Sequence, residues 1–327
     1  MGKGGPETVQ RYMLRRLATA VPTIFGITVL IFVAMRVLPG DPIAMIASEG
    51  QGQYVLSPQE LADARVSLGL DKPLPQQYLS WMSDVFHGNL GHSFWNKEPI
   101  SAVIERRGMI SLEIAVLAVL FSWIVGVPVG ILSATRRNSW LDNVVRLFMT
   151  LFLAIPSFWV GLSAVLFLVL VFTWRPPLTI TQLWDNPAKN LQMVIGPALA
   201  IGLGLAATLA RMTRSATLEV MHEDFVRTAR SKGLRERLVV SRHVLRNALL
   251  PVVTTSGAAI GGLIGGAVAT ETAFGVPGLG NYLVQALNQR DWMVIQNLVL
   301  IYGLVFVVVN LIVDLSYAWI DPRIRYQ

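Results

Sequence analysis

Six runs of about twenty residues, each almost free of charge, dominate this 327-residue chain. That length suits an α-helix crossing a ~30 Å hydrocarbon layer, where the backbone must satisfy its own hydrogen bonds. The runs lie at 17–35, 114–135, 147–173, 193–210, 248–270 and 294–320, and predict an all-α polytopic membrane protein with six spans. Only 14% of the residues are charged and 53% are apolar, which excludes a disordered chain and leaves a soluble enzyme short of polar surface. A cleaved signal peptide is the rival reading for the first run. Its length, the absence of a small-x-small cleavage site and the spans that follow favour a retained helix.

Lysine and arginine set the orientation. The N-terminal arm carries four, the 136–146 loop three, the 211–247 loop nine and the tail two, which is 18 of the chain's 27. The positive-inside rule places both termini and these two loops on the cytoplasmic side of the membrane. Eight acids in 36–107 reinforce the opposite sign outside. The pI near 10 is thereby spent on topology, and no nucleic-acid partner is expected. Three regions follow: an arm and first span at 1–36, an external segment at 37–107, and a five-helix core at 108–327.

The external segment is expected to be structured. Ser57-Pro58-Gln59-Glu60 reads as a helix start, with Leu61, Ala64 and Leu68 at helical spacing before Gly69. A second amphipathic stretch, Tyr78 to Met82, leads into Gly88-Asn89-Leu90-Gly91. It reads either as a cap anchored at the membrane interface by Trp81, Phe86, Phe94 and Trp95, or as a docking or gating surface.

Catalytic and metal motifs are missing. No Walker lysine follows a glycine-rich loop, so the chain is not expected to hydrolyse nucleotide itself. Gly275 to Gly280 reads as a tight turn. The histidines lack metal-ligand spacing, and there are no cysteines. Asp314 lies deepest in a span, with Asn310 one turn before it. It reads as a structural anchor near the cytoplasmic end, or as a proton relay that would need a second ionisable group. In the fifth span Gly257, Gly261 and Gly265 repeat at spacing four, with Gly262 and Gly266 on an adjoining stripe. Such a face packs helices closely or lines a pathway.

The 211–247 loop holds the sharpest signal. Glu223 and Asp224 precede Phe225, Val226, Arg227, Thr228, Ala229, Arg230, Ser231 and Lys232, and Gly233 follows. Acids at the start, bases at the end and a glycine stop delimit a short helix. A helix so short is unstable alone in water and needs a partner surface, either a protein cleft or anionic lipid.

At this point the sequence resembles the inner-membrane permease subunits of ATP-binding-cassette (ABC) importers, specifically the first permease of dipeptide, oligopeptide and nickel uptake systems. The resemblance covers nearly the whole chain. It is carried by LRRLATAVPTIFGITVLIFVAMRVLPGDP, by Leu68 to Pro75, Gly91-His92-Ser93, Ile155-Pro156-Ser157-Phe158-Trp159 and Arg214-Ser215, and by ETAFGVPGLG and Asp321 to Tyr326. The family's cytoplasmic EAAxxxG motif aligns on Gly233. Arg227 and Thr228 stand here where the general motif has Glu and the first Ala, and Pro251 replaces a proline expected at Arg246. Both departures are features of the peptide and nickel branch.

The resemblance implies a type I importer permease fold and half of a translocation pathway for di- or oligopeptides. It also implies a multi-pass place in a bacterial plasma (inner) membrane and its lipid, a second homologous permease, two ATPase subunits that hold ATP and Mg, and an external solute-binding protein. No cofactor is expected on this chain. Residues 225–233 would dock on an ATPase, with Phe225 and Ala229 supplying apolar contact and Arg227, Arg230 and Lys232 the charge. Nickel or oligosaccharide cargo is the alternative within the class; a proton-coupled secondary transporter using Asp314, or a membrane scaffold, lies outside it.

Overall fold

The computed structural model describes residues 9–37, 59, 71–174, 177 and 179–320, with side chains at all of these except 9–17, 254–255, 258–262, 264–266 and 314–320. The Ser57 to Gly69 helix start therefore falls outside the described residues, apart from Gln59. Among the described residues ten helices follow one another: α1 (Val9–Val37), α2 (Leu74–Phe86), α3 (Ile100–Thr135), α4 (Trp140–Ala154), α5 (Ser157–Phe172), α6 (Pro187–Val220), α7 (Asp224–Ser231), α8 (Leu245–Phe274), α9 (Leu279–Gln289) and α10 (Trp292–Ile320). A single turn, Glu236–Leu238, and a π-helical turn, Val239–Val244, run directly into α8.

Among the described residues, four helices are long and apolar enough to cross a membrane, and a fifth crossing exists if α4 and α5 form one span. The run expected at 147–173 is not straight: α4 and α5 meet at 98°. Pro156 explains the break. It has no N–H to continue the ladder and forces Ile155 into an extended conformation at φ −89° and ψ 126°. The second run begins earlier than its apolar stretch suggests, at Ile100, because Glu105, Arg106 and Arg107 continue the helix beyond the hydrocarbon. At 36 residues α3 reaches roughly 54 Å, well over a bilayer core.

The centre of the bundle is the contact of α3 with α6, the most extensive between any two described helices. Glycine makes it possible. A Cβ on Gly126 would lie 2.6 Å from the Ala206 carbonyl oxygen, and one on Gly130 would lie 2.5 Å from that of Ala210. Gly126-xxx-Gly130 is thus a stripe at which two helix backbones meet. In α8, Gly257 is buried and faces Val313. Gly261, Gly262, Gly265 and Gly266 continue the same helix, but their surroundings lie outside the described residues.

Helix α2 packs against α1 and α10. Trp81 is buried, stacks on Phe32 of α1 at 6.3 Å between centroids, and donates its indole N–H to Asn297 of α10. Tyr78 shares a 2.8 Å hydrogen bond with Thr28. Of the four proposed aromatic anchors, Phe86 is fully on the surface, Phe94 and Trp95 are half-buried, and Trp81 belongs to the core.

Loops expected on one side of the membrane gather at one end. Ser93 donates to Asp291 at 2.6 Å, the Trp95 indole donates to the Gln289 carbonyl, and Gln182 donates to the Arg106 carbonyl. Burial pushes the Asp291 carboxyl up from its ordinary value, opposed by donation from Ser93 and the Phe94 and Val294 amides. At the other end, Asp142 from the 136–146 loop meets Arg214 from the 211–247 loop.

Candidate functional site

Helix α7 has eight residues and two faces. Val226 and Ala229, three apart, are buried, while Phe225 is 42% exposed and Arg227, Thr228, Arg230 and Ser231 face solvent. The buried pair packs on Ala216 at the end of α6 and on Val239, Val244 and Ala248. The partner surface that so short a helix requires is therefore supplied in part by the chain itself. Burying Val226 alone contributes about 1.5–3 kcal/mol.

The seat depends on the π turn. Residues five apart do not share a face of an α-helix, but i→i+5 hydrogen bonding stacks them. Val239 and Val244 are fully buried in the same cluster beneath α7. A hydrophobic period of 3.6 contains no trace of this turn, so sequence reasoning missed it.

Polar contacts hold the ends of α7. Arg230 makes two hydrogen bonds to Glu236, at 2.7 and 3.1 Å, which hold the Glu236 carboxyl below its usual value and raise the Arg230 guanidinium. Arg227 reaches Asp224 at 3.4 Å. Lys232 closes the helix, and Gly233 follows at φ +74°, a left-handed conformation where a side chain would be strained although the space around it is open. What remains for a partner is a surface with Phe225 at its apolar centre, rimmed by Arg227 and Lys232. Ala229 faces inward and takes no part in that surface.

The other sequence candidates are dispersed. Asn310 bonds its own helix through the Phe306 carbonyl, and the Asp314 side chain lies outside the described residues. Two buried acids that sequence reasoning did not single out are fully engaged. Asp142 accepts from Arg214 at 2.9 and 3.0 Å, from Ser133 at 2.5 Å and from the Asn138 amide at 3.0 Å. Ser139, three residues before Asp142, caps α4 by accepting its amide, and that spacing is a legible helix-start signal. Glu271, the first residue of ETAFGVPGLG, accepts from Ser111 and from the amides of Gly280 and Asn281, so one helix caps the next.

The chain has clear relatives. Residues 126–326 match the family described as binding-protein-dependent transport system inner membrane component, and residues 9–115 match the N-terminal membrane component of such systems. A Brucella abortus protein described as a peptide transport system permease is 41% identical over 315 residues, 96% of this chain and 99% of that protein. The Escherichia coli K12 dipeptide transport system permease protein DppB is 39% identical, with 97% and 99% covered. The Pseudomonas aeruginosa di/tripeptide transport system permease protein DppB is 38% identical, again with 97% and 99% covered. Among solved structures, an inward-facing MetNI methionine ABC transporter matches with a TM-score of 0.52 at 20% identity, over 68% of this chain and 99% of that one. An amino acid ABC transporter matches with a TM-score of 0.50 at 15% identity, over 73% and 98%. Those two likenesses concern the fold. The family matches carry the assignment: this chain belongs to the inner-membrane permease components of binding-protein-dependent ABC transport systems.

Proposed function

We propose that this permease forms half of the translocation pathway of a peptide importer. It pairs with a second, homologous permease and docks α7 on one of two ATPase subunits, which bind ATP and Mg. A solute-binding protein delivers di- or oligopeptides from outside. The chain carries no chemistry of its own; its task is to change shape when the ATPases do. The six apolar runs are the spans, and the 18 of 27 basic residues that fall on one side support a cytoplasmic place for both termini and α7. The three regions at 1–36, 37–107 and 108–327 serve as anchor, external cap and pathway core. The relatives named for peptide transport support the cargo class.

One observation carries the coupling role: an eight-residue helix fastened to its own chain by Val226 and Ala229 leaves Phe225 exposed, with Lys232 and Arg227, the latter paired only with the exposed Asp224 of the same helix, at its rim. A docking helix of this build transmits motion in both directions, because a helix that binds one ATPase state better biases the permease equilibrium by that affinity difference. Affinity purification from membranes tests it. The wild-type chain is expected to bring down two ATPases and a second permease. Phe225→Ala is expected to lose most of the ATPase with unchanged thermal unfolding of the permease. Equal ATPase recovery with Phe225→Ala would remove α7 from the coupling role.

A further inference from the structure

We propose that this permease holds an anionic phospholipid in a basic cavity between α4 and α6, at the membrane boundary near the end that carries α7. The cavity has a volume of about 480 Å³ and is lined by Arg146, Arg211, Arg214, Thr150, Ser215 and Leu153, among others. Three arginines thus line one space. Only Arg214 has a carboxylate, the buried Asp142. Arg146 and Arg211 make no ion pair with any described acid.

Depth selects the ligand. Arg146 immediately precedes the apolar run that begins at Leu147, and Arg211 immediately follows the one that ends at Ala210. Both therefore stand at the level where a bilayer places its phosphates. Ser215 adds a hydroxyl donor, the Thr150 hydroxyl being given to the Arg146 carbonyl, while Leu153 and Met149 provide apolar wall. A phosphodiester neutralises the two unpaired cations, and its glycerol and first methylenes fit the apolar part. A soluble anion would fill only the polar part. Basic pockets between helices on the cytoplasmic side recognise anionic headgroups in this way. Arginine suits the role because its planar fork matches phosphate oxygens. The choice of leaflet rests on the topology given under Proposed function; the site itself rests on the cavity.

Native mass spectrometry of the full-length chain, purified from nanodiscs of equal parts phosphatidylcholine and phosphatidylglycerol, tests this. The wild type is expected to retain one phosphatidylglycerol per chain in preference to phosphatidylcholine. The double variant Arg146→Gln/Arg211→Gln should lower that retention about tenfold or more. Thr150→Trp, which fills the cavity but leaves every charge in place, should lower it as well, and Arg146→Lys/Arg211→Lys should restore part of it. Size exclusion and thermal unfolding identify variants that fail to fold. Thr150→Trp then tests the site independently of any charge lost to misfolding. Equal retention by wild type and folded variants would overturn the proposal. So would protection of the two arginines from phenylglyoxal by inorganic phosphate or a dipeptide but not by phosphatidylglycerol, which would mark a free-anion or solute site. None of these readouts uses an ATPase, so failure here leaves the coupling role intact, and the converse also holds.

Discussion

Asp142 bears more of this structure than its place in the first turn of α4 suggests. It is fully buried and takes four hydrogen bonds, two from Arg214. Removing one member of a buried ion pair strands the other, at a cost of about 3–5 kcal/mol. Asp142→Ala is therefore expected to lower the unfolding temperature in detergent sharply, and adding Arg214→Met should recover much of the loss. Independent, additive effects would show that the pair is not the origin. Glu236 differs because it is largely exposed, and its pairing contributes at most about 1 kcal/mol. Its carboxyl is held below the ordinary value in the folded chain. The stabilisation is thus complete above the ordinary glutamate range and lost as pH falls through the lowered value. Protection of the α7 loop from protease should decline on that acid limb in the wild type and stay flat in Glu236→Gln.

Helices meet here by removing side chains as much as by adding them. The backbones of α3 and α6 approach so closely at Gly126 and Gly130 that a methyl group would meet a carbonyl oxygen. Gly130→Val should push the two helices apart and destabilise the bundle by about 2–3 kcal/mol or more, as overpacking does. The same substitution at Gly26, where nothing lies within 4 Å, should change little in thermal unfolding. If both variants behave alike, the close approach is not what holds α3 to α6. The bend between α4 and α5 works oppositely. It breaks an apolar run at Pro156 and leaves Phe158, Trp159 and Leu166 exposed on α5, a face for lipid or another subunit.

At the scale of the molecule, α7 matters only if it moves with the bundle, and its seat on Ala216, Val239, Val244 and Ala248 joins it to both α6 and α8. Gly233 keeps that joint in register through its positive φ. Gly233→Val adds strain of about 1–2 kcal/mol at the end of α7. Transport in membrane vesicles should fall while ATPase subunits still copurify and hydrolyse ATP. Uptake equal to wild type in that variant would show that the glycine stop has no part in coupling.

Much of this was legible in the chain. Apolar runs mark the helices because a backbone in lipid has no other hydrogen-bond partner, and the skew of arginines groups the loops by side. The short helix at 224–231 announces itself by its acids, bases and terminal glycine. Other features were legible only in part: Ser139 and Asp142 spell a helix start, yet nothing local says that Asp142 ends beneath Arg214, 72 residues away. Three things belonged to tertiary structure alone. Trp81 is core because α1 and α10 close over it, the π-helical turn Val239–Val244 buries both its end valines in one cluster with Val226, and Arg146 and Arg211 share a cavity because α4 packs against α6. Local sequence sets what each helix is and where it stops. Which side chains end up together depends on contacts between residues far apart in the chain, which no local period encodes.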